Sequence, residues 1–308
     1  MQFIGVALLQ KGNHMKSQIA IIGCGRLGTH LGIQLFKLGY PIVGVYSHNE
    51  QSAQLLSNQI GHPIIGKTPW DVSQLAHIVF ITTNDDQIES VCEQIAHHKG
   101  FMPNSFVFHC SGSLPSTILS SAKQNHAFIG SMHPLQSFAN KTVDSNRFNN
   151  VYISVEGDPE AIDFSKQLIY HLKGQCITIK TQAKILYHAA AVTASNYLVT
   201  LLAFAKKLNQ TAGIDEQDAL SCLMPLIQGT LANMQKMSIP EALTGPIARG
   251  DQQTISNHMN HIEKMVPQFK PLYQCLGTYT VDIAMQKGTL SQSDAESIHS
   301  ILTRLPQM

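Results

Sequence analysis

Short apolar runs alternate with helical stretches between Gln18 and about Lys180, and this alternation limits the fold more than any other feature. Each run is apolar at successive positions, which predicts a strand that is buried on both faces. The predicted strands are 19–23, 42–46, 78–83, 106–110, 127–131, 151–155 and 176–180. Strands of this kind with helices between them are typical of a parallel sheet that helices cover on each side.

The strand pattern stops after Thr181, and helical patterns fill the rest of the chain. The predicted helices are about 182–208, 214–235, 252–263, 267–286 and 291–303. The sequence therefore predicts an α/β domain at residues 15–180 followed by an all-α domain at residues 181–308. Residues 1–14 are predicted to be an extension with no role in the fold, because Met15 stands directly before the first strand.

The first helix of the all-α part is apolar for long enough to suggest a membrane span. Thr193, Ser195 and Asn196 lie near its middle, and no second run of this kind is present in the sequence. These features favour a buried core helix. The apolar segment Phe3 to Leu9 has no positive residue before it and no small-residue cleavage site, so it is not predicted to be a secretory signal.

Composition and charge argue against several classes of protein. A formal net charge of +1 and 44% hydrophobic residues give no reason to expect nucleic acid or a membrane surface as a partner. The six cysteines are scattered singly with no C-x-x-C pair, which predicts reduced thiols in a cytoplasmic protein and no zinc site. His258 and His261 have ligand-like spacing, but a solvated helix face is preferred because no carboxylate or thiolate set accompanies them.

The first predicted strand runs directly into GCGRLG, which has the G-x-G-x-x-G pattern at Gly23, Gly25 and Gly28 with Arg26 and Leu27 between them. The first glycine permits a tight turn, and the second lets the backbone approach a pyrophosphate. The third lets the following helix pack closely, so that its N-terminus faces the phosphates. Because the pattern lies at a strand–helix junction, it predicts a dinucleotide site in preference to a plain glycine turn.

The end of the second strand predicts which dinucleotide binds. NAD sites usually carry an acidic residue there, but this strand ends in Tyr46-Ser47-His48-Asn49. Ser47 and His48 are able to donate hydrogen bonds to a 2′-phosphate, and Arg26 adds a positive charge, so NADP is predicted. Thr82 and Thr83, at the end of the third strand, are expected to border the cofactor.

Polar residues form a stripe on the long apolar helix. Lys184, His188, Ala191 and Ser195 fall within about 60° of one another at about 100° per residue, with Asn196 at the flank. Lys184 and His188 are one turn apart, close enough to act on one carbonyl, where a cation stabilises and protonates the developing alkoxide. The structural alternatives are a core histidine bonded to a carbonyl and a lysine whose head reaches solvent.

Six segments together resemble one family: GCGRLGTHL, VGVYSHN, HCSGSLPS, GSMHPLQSF, LYHAAAVTASNYL and ALTGPIARGD. They are similar to Rossmann-like oxidoreductases that carry the C-terminal domain called DUF2520, and the similarity runs from Met15 to the C-terminus. The resemblance implies an NADP-binding domain and a helical domain like that of 6-phosphogluconate dehydrogenase. Its wider relatives include ketopantoate reductases, pyrroline-5-carboxylate reductases and prephenate dehydrogenases.

The resemblance also implies roles for single residues. Lys184 matches a lysine of ketopantoate reductases, but His188 stands where those enzymes have an asparagine. The His-Pro pair at His133 looks like one in prephenate dehydrogenases, which implies a place near the nicotinamide. Ser111 follows the carboxyl end of a predicted strand, which is where ligands of open α/β sheets bind. Arg249 lies in a Gly/Pro-rich loop, where it is either a clamp for a substrate carboxylate or a surface residue of a turn.

The predicted function is NADP-dependent reduction of a small 2-oxo or imino acid, with 2-dehydropantoate (ketopantoate) as the best single substrate. Lys184 and His188 are the predicted catalytic residues, and no metal is required. One alternative is an imine reductase like pyrroline-5-carboxylate reductase, and another is a non-catalytic NADP-binding sensor or scaffold. A homodimer through the helical domain is predicted, because the helix at 182–208 is apolar nearly all round.

Overall fold

The computed structural model describes residues 17–138 and 147–303. The chain forms two compact units, 1–192 and 193–308. The division falls inside a long helix, later than the boundary at residue 181 that the sequence pattern suggests. Because the predicted extension ends at residue 14, it lies outside the described residues.

The first unit is built on a sheet of eight strands in the order β3-β2-β1-β4-β5-β6-β7-β8 among the described residues. The strands are β1 Ile19–Ile22, β2 Ile42–Tyr46, β3 Ile64–Ile65, β4 Ile78–Ile81, β5 Phe106–His109, β6 Phe128–Pro134, β7 Tyr152–Gly157 and β8 Gln175–Thr178. The seven predicted strands are present, and the sequence pattern missed the short edge strand β3. The α/β fold class is confirmed.

Helices lie between the strands and cover the sheet. They are α1 Arg26–Lys37, α2 Glu50–Ser57, α3 Pro69–Ser73, α4 Asp85–His97, α5 Ser120–Gln124 and α6 Pro159–His171. Alternate residues of one strand enter different apolar clusters: Ile19 and Ile21 join one, whereas Ala20 and Ile22 join the other. β1 is therefore buried on both faces, as its unbroken apolar run predicts, whereas the edge strands β3 and β8 are exposed.

The predicted parallel sheet contains one antiparallel pair of strands among the described residues. β6 and β7 are antiparallel, with Ser131 opposite Glu156 and His133 opposite Ser154, whereas the other neighbouring strands are parallel. The apolar pattern cannot distinguish the two arrangements, because a strand buried on both faces looks the same in either direction. The reversal places an acidic residue of β7 beside β6, which matters for the site described below.

The helices after β8 follow the predicted order closely. They are α7 Lys184–Thr211, α8 Asp218–Ser221, α9 Met224–Met234, α10 Ile239–Ala242, α11 Gln252–Met265, α12 Lys270–Lys287 and α13 Gln292–Thr303. The predicted helix at 214–235 is in fact two helices, because Pro225 begins a new one in the first turn of α9. An apolar cluster that includes Ile255, Val281 and Ile298 forms the main core of the second unit.

The long helix α7 is not the buried core helix that its sequence predicts. Ile185, Leu186 and Val199 are 65%, 76% and 68% exposed in the single chain. Among the described residues, the helical segment Thr181–Thr211 is long and apolar enough to cross a membrane, and none of its most apolar window is buried. The single chain therefore leaves a large apolar helix surface uncovered.

The junction between β1 and α1 is packed too tightly for any side chain at two of its glycines. Gly23 has a φ of +103°, in the left-handed region that favours glycine. A Cβ atom on Gly28 would overlap the carbonyl oxygen of Gly23 and lie 2.5 Å from Thr82 Oγ1. In contrast, a Cβ atom on Gly25 would meet nothing within 4 Å.

This difference predicts opposite outcomes for two matched variants. Gly28→Ala should lower the free energy of unfolding by about 1–3 kcal/mol, because the added methyl overpacks the helix–strand contact. Gly25→Ala should change it by less than about 1 kcal/mol, since its methyl enters open space and only the N-terminal end of α1 is affected. Urea unfolding of both variants measures the difference, and equal losses would contradict this account.

Candidate functional site

A cavity of about 690 Å³ lies at the carboxyl ends of β1, β2 and β4. Its lining includes six of the residues predicted to bind the cofactor: Gly23, Gly25, Ser47, His48, Thr82 and Thr83. Leu27 and Gly28 lie in the first turn of α1 and do not line the cavity, and the Arg26 side chain is exposed at the same turn. The sequence did not single out Gln87 or Asn84, which line the cavity at the start of α4.

Thr82 holds the glycine loop between β1 and α1 by a hydrogen bond. Its hydroxyl donates a hydrogen bond to the carbonyl oxygen of Gly23 at 2.7 Å. The hydroxyl oxygen of Thr83 is buried and has no hydrogen-bond partner among the described residues. The open space above Gly25 and this unpaired hydroxyl fit a bound dinucleotide, since one leaves room for a phosphate and the other supplies a polar contact.

The rim of the cavity at the end of β2 carries no carboxylate before the helix that follows. Asn49 is the N-cap of α2, where its side chain accepts a hydrogen bond from the backbone of Ser52 at 3.1 Å. Glu50 is the first residue of α2 and does not line the cavity. Ser47 and His48 are thus the side chains next to the position where NAD sites hold a ribose with an acid.

A second cluster joins the loop after β5 to the end of β6 and the start of α7. The rings of His133 and His188 are 6.1 Å apart, and His133 Nδ1 lies 3.3 Å from the hydroxyl of Tyr187. Gly112 lies against both rings, because a Cβ there would be 2.5 Å from His188 Cδ2 and 2.8 Å from His133 Nε2. The structure therefore brings together two of the predicted site residues, and only glycine fits between them.

Ser111 lies beside this histidine pair, but its hydroxyl is engaged in holding the loop. It donates to Asp85 Oδ2 at 2.7 Å and accepts from the backbone amides of Ser113 and Leu114. Ser113 donates to the same carboxylate oxygen at 3.1 Å. Asp85 lies at the start of α4 and is exposed. Through these two hydrogen bonds its carboxylate connects the loop after β5 to this end of α4.

Lys184 is enclosed by protein. Its side chain is 1% exposed, and the ammonium group donates to Ser131 Oγ and, at 3.2 Å, to Glu156 Oε1. Glu156 also accepts from the amide of Ser116 at 2.8 Å, from its hydroxyl at 2.7 Å and from the hydroxyl of Thr181 at 2.9 Å. The ammonium group therefore neither snorkels to solvent nor faces an open cleft. Glu156 is not among the residues that the sequence pattern predicts for the site, although an acid at the end of an apolar strand is a visible signal.

Burial and the charge of Lys184 lower the pKa values of two histidines near the Lys184–Glu156 ion pair. Burial, together with the charges of Lys184 and His188, lowers the pKa of His133 to about 4, whereas Asp85 opposes them. Burial, with Lys184 as the next cause, also lowers the pKa of His109 to about 3. The pKa of Lys184 is itself lowered by burial and held up by Glu156. The imidazole of His133 is consequently neutral at neutral pH.

The remaining predicted residues lie in the second unit. Ser195 and Asn196 are exposed on α7, and Arg249 is exposed in a short turn that ends at Gly250. His258 bonds to the hydroxyl of Tyr273 at 2.8 Å. Across residues 17–138 and 147–303, no group of three or more histidine, cysteine or acidic side chains could hold a metal ion.

Solved structures of similar fold cover nearly the whole chain. A Bacteroides fragilis protein named as a candidate NADP oxidoreductase matches with a TM-score of 0.69 and 23% identity, over 93% of this chain and 99% of its own. A Thermotoga maritima protein matches with a TM-score of 0.69 and 25% identity, over 88% and 99%. An Aspergillus terreus reductive aminase in complex with NADPH and ethyl levulinate matches with a TM-score of 0.63 and 15% identity, over 92% and 98%.

Family models match both parts of the sequence. The model of a Rossmann-like domain matches residues 10–134, and the model of the domain of unknown function DUF2520 matches residues 151–280. The DUF2520 match begins before the predicted domain boundary and includes β7 and β8. No curated protein matches the chain. The predicted family is confirmed, and the chain is a Rossmann-like protein with a C-terminal DUF2520 domain.

Proposed function

We propose that this protein is an NADP-dependent oxidoreductase that reduces the C=N bond of a small imine. The dinucleotide cavity, with its acid-free rim at Ser47 and His48, supports the choice of NADP. The names of two proteins of similar fold refer to NADP or NADPH, which supports the same cofactor. The enclosure of Lys184 is the observation that supports a C=N substrate over a C=O substrate.

Reduction of a ketone produces an alkoxide, which needs a cation or an acid beside the reacting oxygen. Lys184 is the residue that the 2-dehydropantoate hypothesis requires for this task, but its ammonium group is bonded to Glu156 and Ser131 inside the protein. His133, with a pKa of about 4, is not an acid at neutral pH. Both observations weaken the case for a 2-oxo acid.

Reduction of an imine that is already protonated does not require a cation or an acid beside the reacting atom. NADPH supplies the hydride when it is bound, and the product is an amine with no oxyanion to stabilise. The exposed carboxylate of Asp85, which is held beside the histidine pair by Ser111 and Ser113, favours a cationic substrate by attraction. His188 and the neutral His133 orient the substrate by hydrogen bonds. We therefore rank an imine, including a cyclic imino acid, above 2-dehydropantoate.

The alternative, a non-catalytic NADP-binding sensor or scaffold, would bind the cofactor in the same cavity but would not turn over a substrate. Ser195, Asn196 and Arg249 lie in the second unit, and their role as substrate contacts stays a prediction from the sequence. We retain the cytoplasmic location predicted from six scattered cysteines with no C-x-x-C pair.

We further propose that a second copy of the chain covers α7. The exposed side chains on this helix include Ile185, Leu186, Tyr197 and Val199. Uncovered apolar surface of this extent marks an interaction site in a water-soluble protein. A homodimer buries it without a second gene product, because a two-fold axis sets the same surface against itself.

The substrate proposal is tested by NADPH consumption with a panel of cyclic imines, imino acids and 2-oxo acids that includes 2-dehydropantoate. We expect turnover of at least one imine, with kcat/KM at least about tenfold above that of any 2-oxo acid. His188→Asn should lose less than about tenfold in kcat if the residue orients the substrate, and about 10²–10⁴-fold if it donates a proton. Cofactor binding without turnover of any compound would favour the sensor, whereas turnover of 2-oxo acids alone would restore the original substrate prediction.

Cofactor choice is tested separately by calorimetric titration. NADPH should bind at least about tenfold more tightly than NADH, a difference of about 1.4 kcal/mol. Replacing Ser47 and His48 with alanine together should reduce this preference, because the hydrogen bonds to the 2′-phosphate are lost. Asn49 serves α2 as a cap, so Asn49→Ser is the control that keeps the preference. Equal affinities for both cofactors in the unaltered protein would reject the NADP assignment.

The dimer is tested by light scattering at micromolar concentration, where we expect the mass of two chains. Val199→Glu should shift the mass toward one chain, because it places a charge on the covered apolar surface. Lys207→Glu changes the charge of an exposed residue near the end of the same helix and is the control. A single-chain mass for the unaltered protein would exclude this interface.

A further inference from the structure

A buried ion pair connects the segments that carry the histidine pair. Glu156 lies on β7 and accepts hydrogen bonds from Ser116, Thr181 and Lys184. Ser116 belongs to the short turn Ser116–Leu119 after the Gly112 loop, and Thr181 begins the turn directly before α7. One carboxylate is thus bonded to residues on both sides of the histidine cluster.

Lys184 completes the connection to β6. Its ammonium group donates to Ser131, which is two residues before His133 and therefore points to the same face of the strand. Lys184 is also one helical turn before His188, so the two side chains lie on the same side of α7. The ion pair is in this way bonded to the strand that carries His133 and to the helix that carries His188.

We propose that Glu156 and Lys184 are positioning residues, which hold His133 and His188 against Gly112 from the protein side of the site. In this account neither residue touches the substrate. The inference concerns the site of the proposed reductase and depends on that function for its effect on turnover, but the charge state of His133 is measurable without any substrate.

The groups that face His133 come from several elements. α7 contributes Lys184, Tyr187 and His188, the start of α4 contributes Asp85, and β5 contributes His109. Lys184 and Asp85 oppose each other, and the cation has the larger influence on the pKa of His133. Removal of the lysine charge should therefore make His133 easier to protonate, although burial still acts in the opposite direction.

The test combines the single variants Glu156→Gln and Lys184→Met with the double variant. A single change leaves a buried charge without its partner, whereas the double change removes both and is better tolerated. Lys184→Arg keeps the charge and is the conservative variant. Lys123→Met removes the lysine of a pair with Asp158 in which Lys123 is exposed, and it is the matched control.

The first measurement follows the ring signals of His133 by NMR during a pH titration, with His133→Asn used for assignment. We expect the midpoint to rise by about one pH unit in Lys184→Met and in the double variant. It should stay at the wild-type value in Lys184→Arg and Lys123→Met. A double variant that folds and keeps the wild-type midpoint overturns the proposal.

The second measurement is turnover of whichever imine the unaltered enzyme accepts. Glu156→Gln should lower kcat about 10–100-fold with little change in NADPH affinity, because the histidines shift while the cofactor cavity is untouched. If Lys184→Met abolishes kcat while the His133 midpoint stays fixed, the lysine acts on the substrate directly and the proposal is wrong. If the unaltered protein reduces nothing, the proposed function fails, but the titration still decides whether the pair acts on His133.

Discussion

The carboxylate of Glu156 has lost its contact with water, and donors from three other segments of the first unit take the place of the solvent. Burying an unpaired carboxylate costs many kcal/mol, so such a group is stable only where the surrounding segments occupy fixed positions. The same four hydrogen bonds that satisfy Glu156 therefore fix the turn after the Gly112 loop and the start of α7. In the proposed arrangement, these four hydrogen bonds to Glu156 also fix the positions of His133 and His188.

The antiparallel strand β7 makes this arrangement possible. In an antiparallel pair, opposite residues lie close enough for their side chains to interact, and Ser131 is opposite Glu156. Lys184 bonds to both, so it joins the two strands through their side chains as well as through their backbone hydrogen bonds. A parallel β7 would run in the other direction and would not bring Glu156 to this register with β6.

Features that depend on neighbouring residues could be predicted from the sequence, whereas features that depend on distant contacts could not. Gly23, Gly25 and Gly28 act within one strand–turn–helix segment: Gly23 and Gly25 line the cavity, and Gly28 packs against Gly23 and Thr82. The surroundings of Lys184 depend on Glu156, which is 28 positions away and adjacent only because of the sheet register. The periodicity of the polar stripe on α7 carries no information about which of its side chains is enclosed.

The exposure of α7 could not be predicted for a similar reason. An apolar surface needs a cover, but the sequence does not say which chain provides it.

The proposed chemistry of the site follows from the enclosure of Lys184. A lysine that faced the substrate would supply the charge that an alkoxide needs, whereas Lys184 is enclosed, is paired with Glu156 and is proposed to act through the histidines. A neutral His133 beside the carboxylate of Asp85 is then better matched to a substrate that brings its own positive charge. The position of one ammonium group thus connects the sheet register to the proposed preference for a protonated imine.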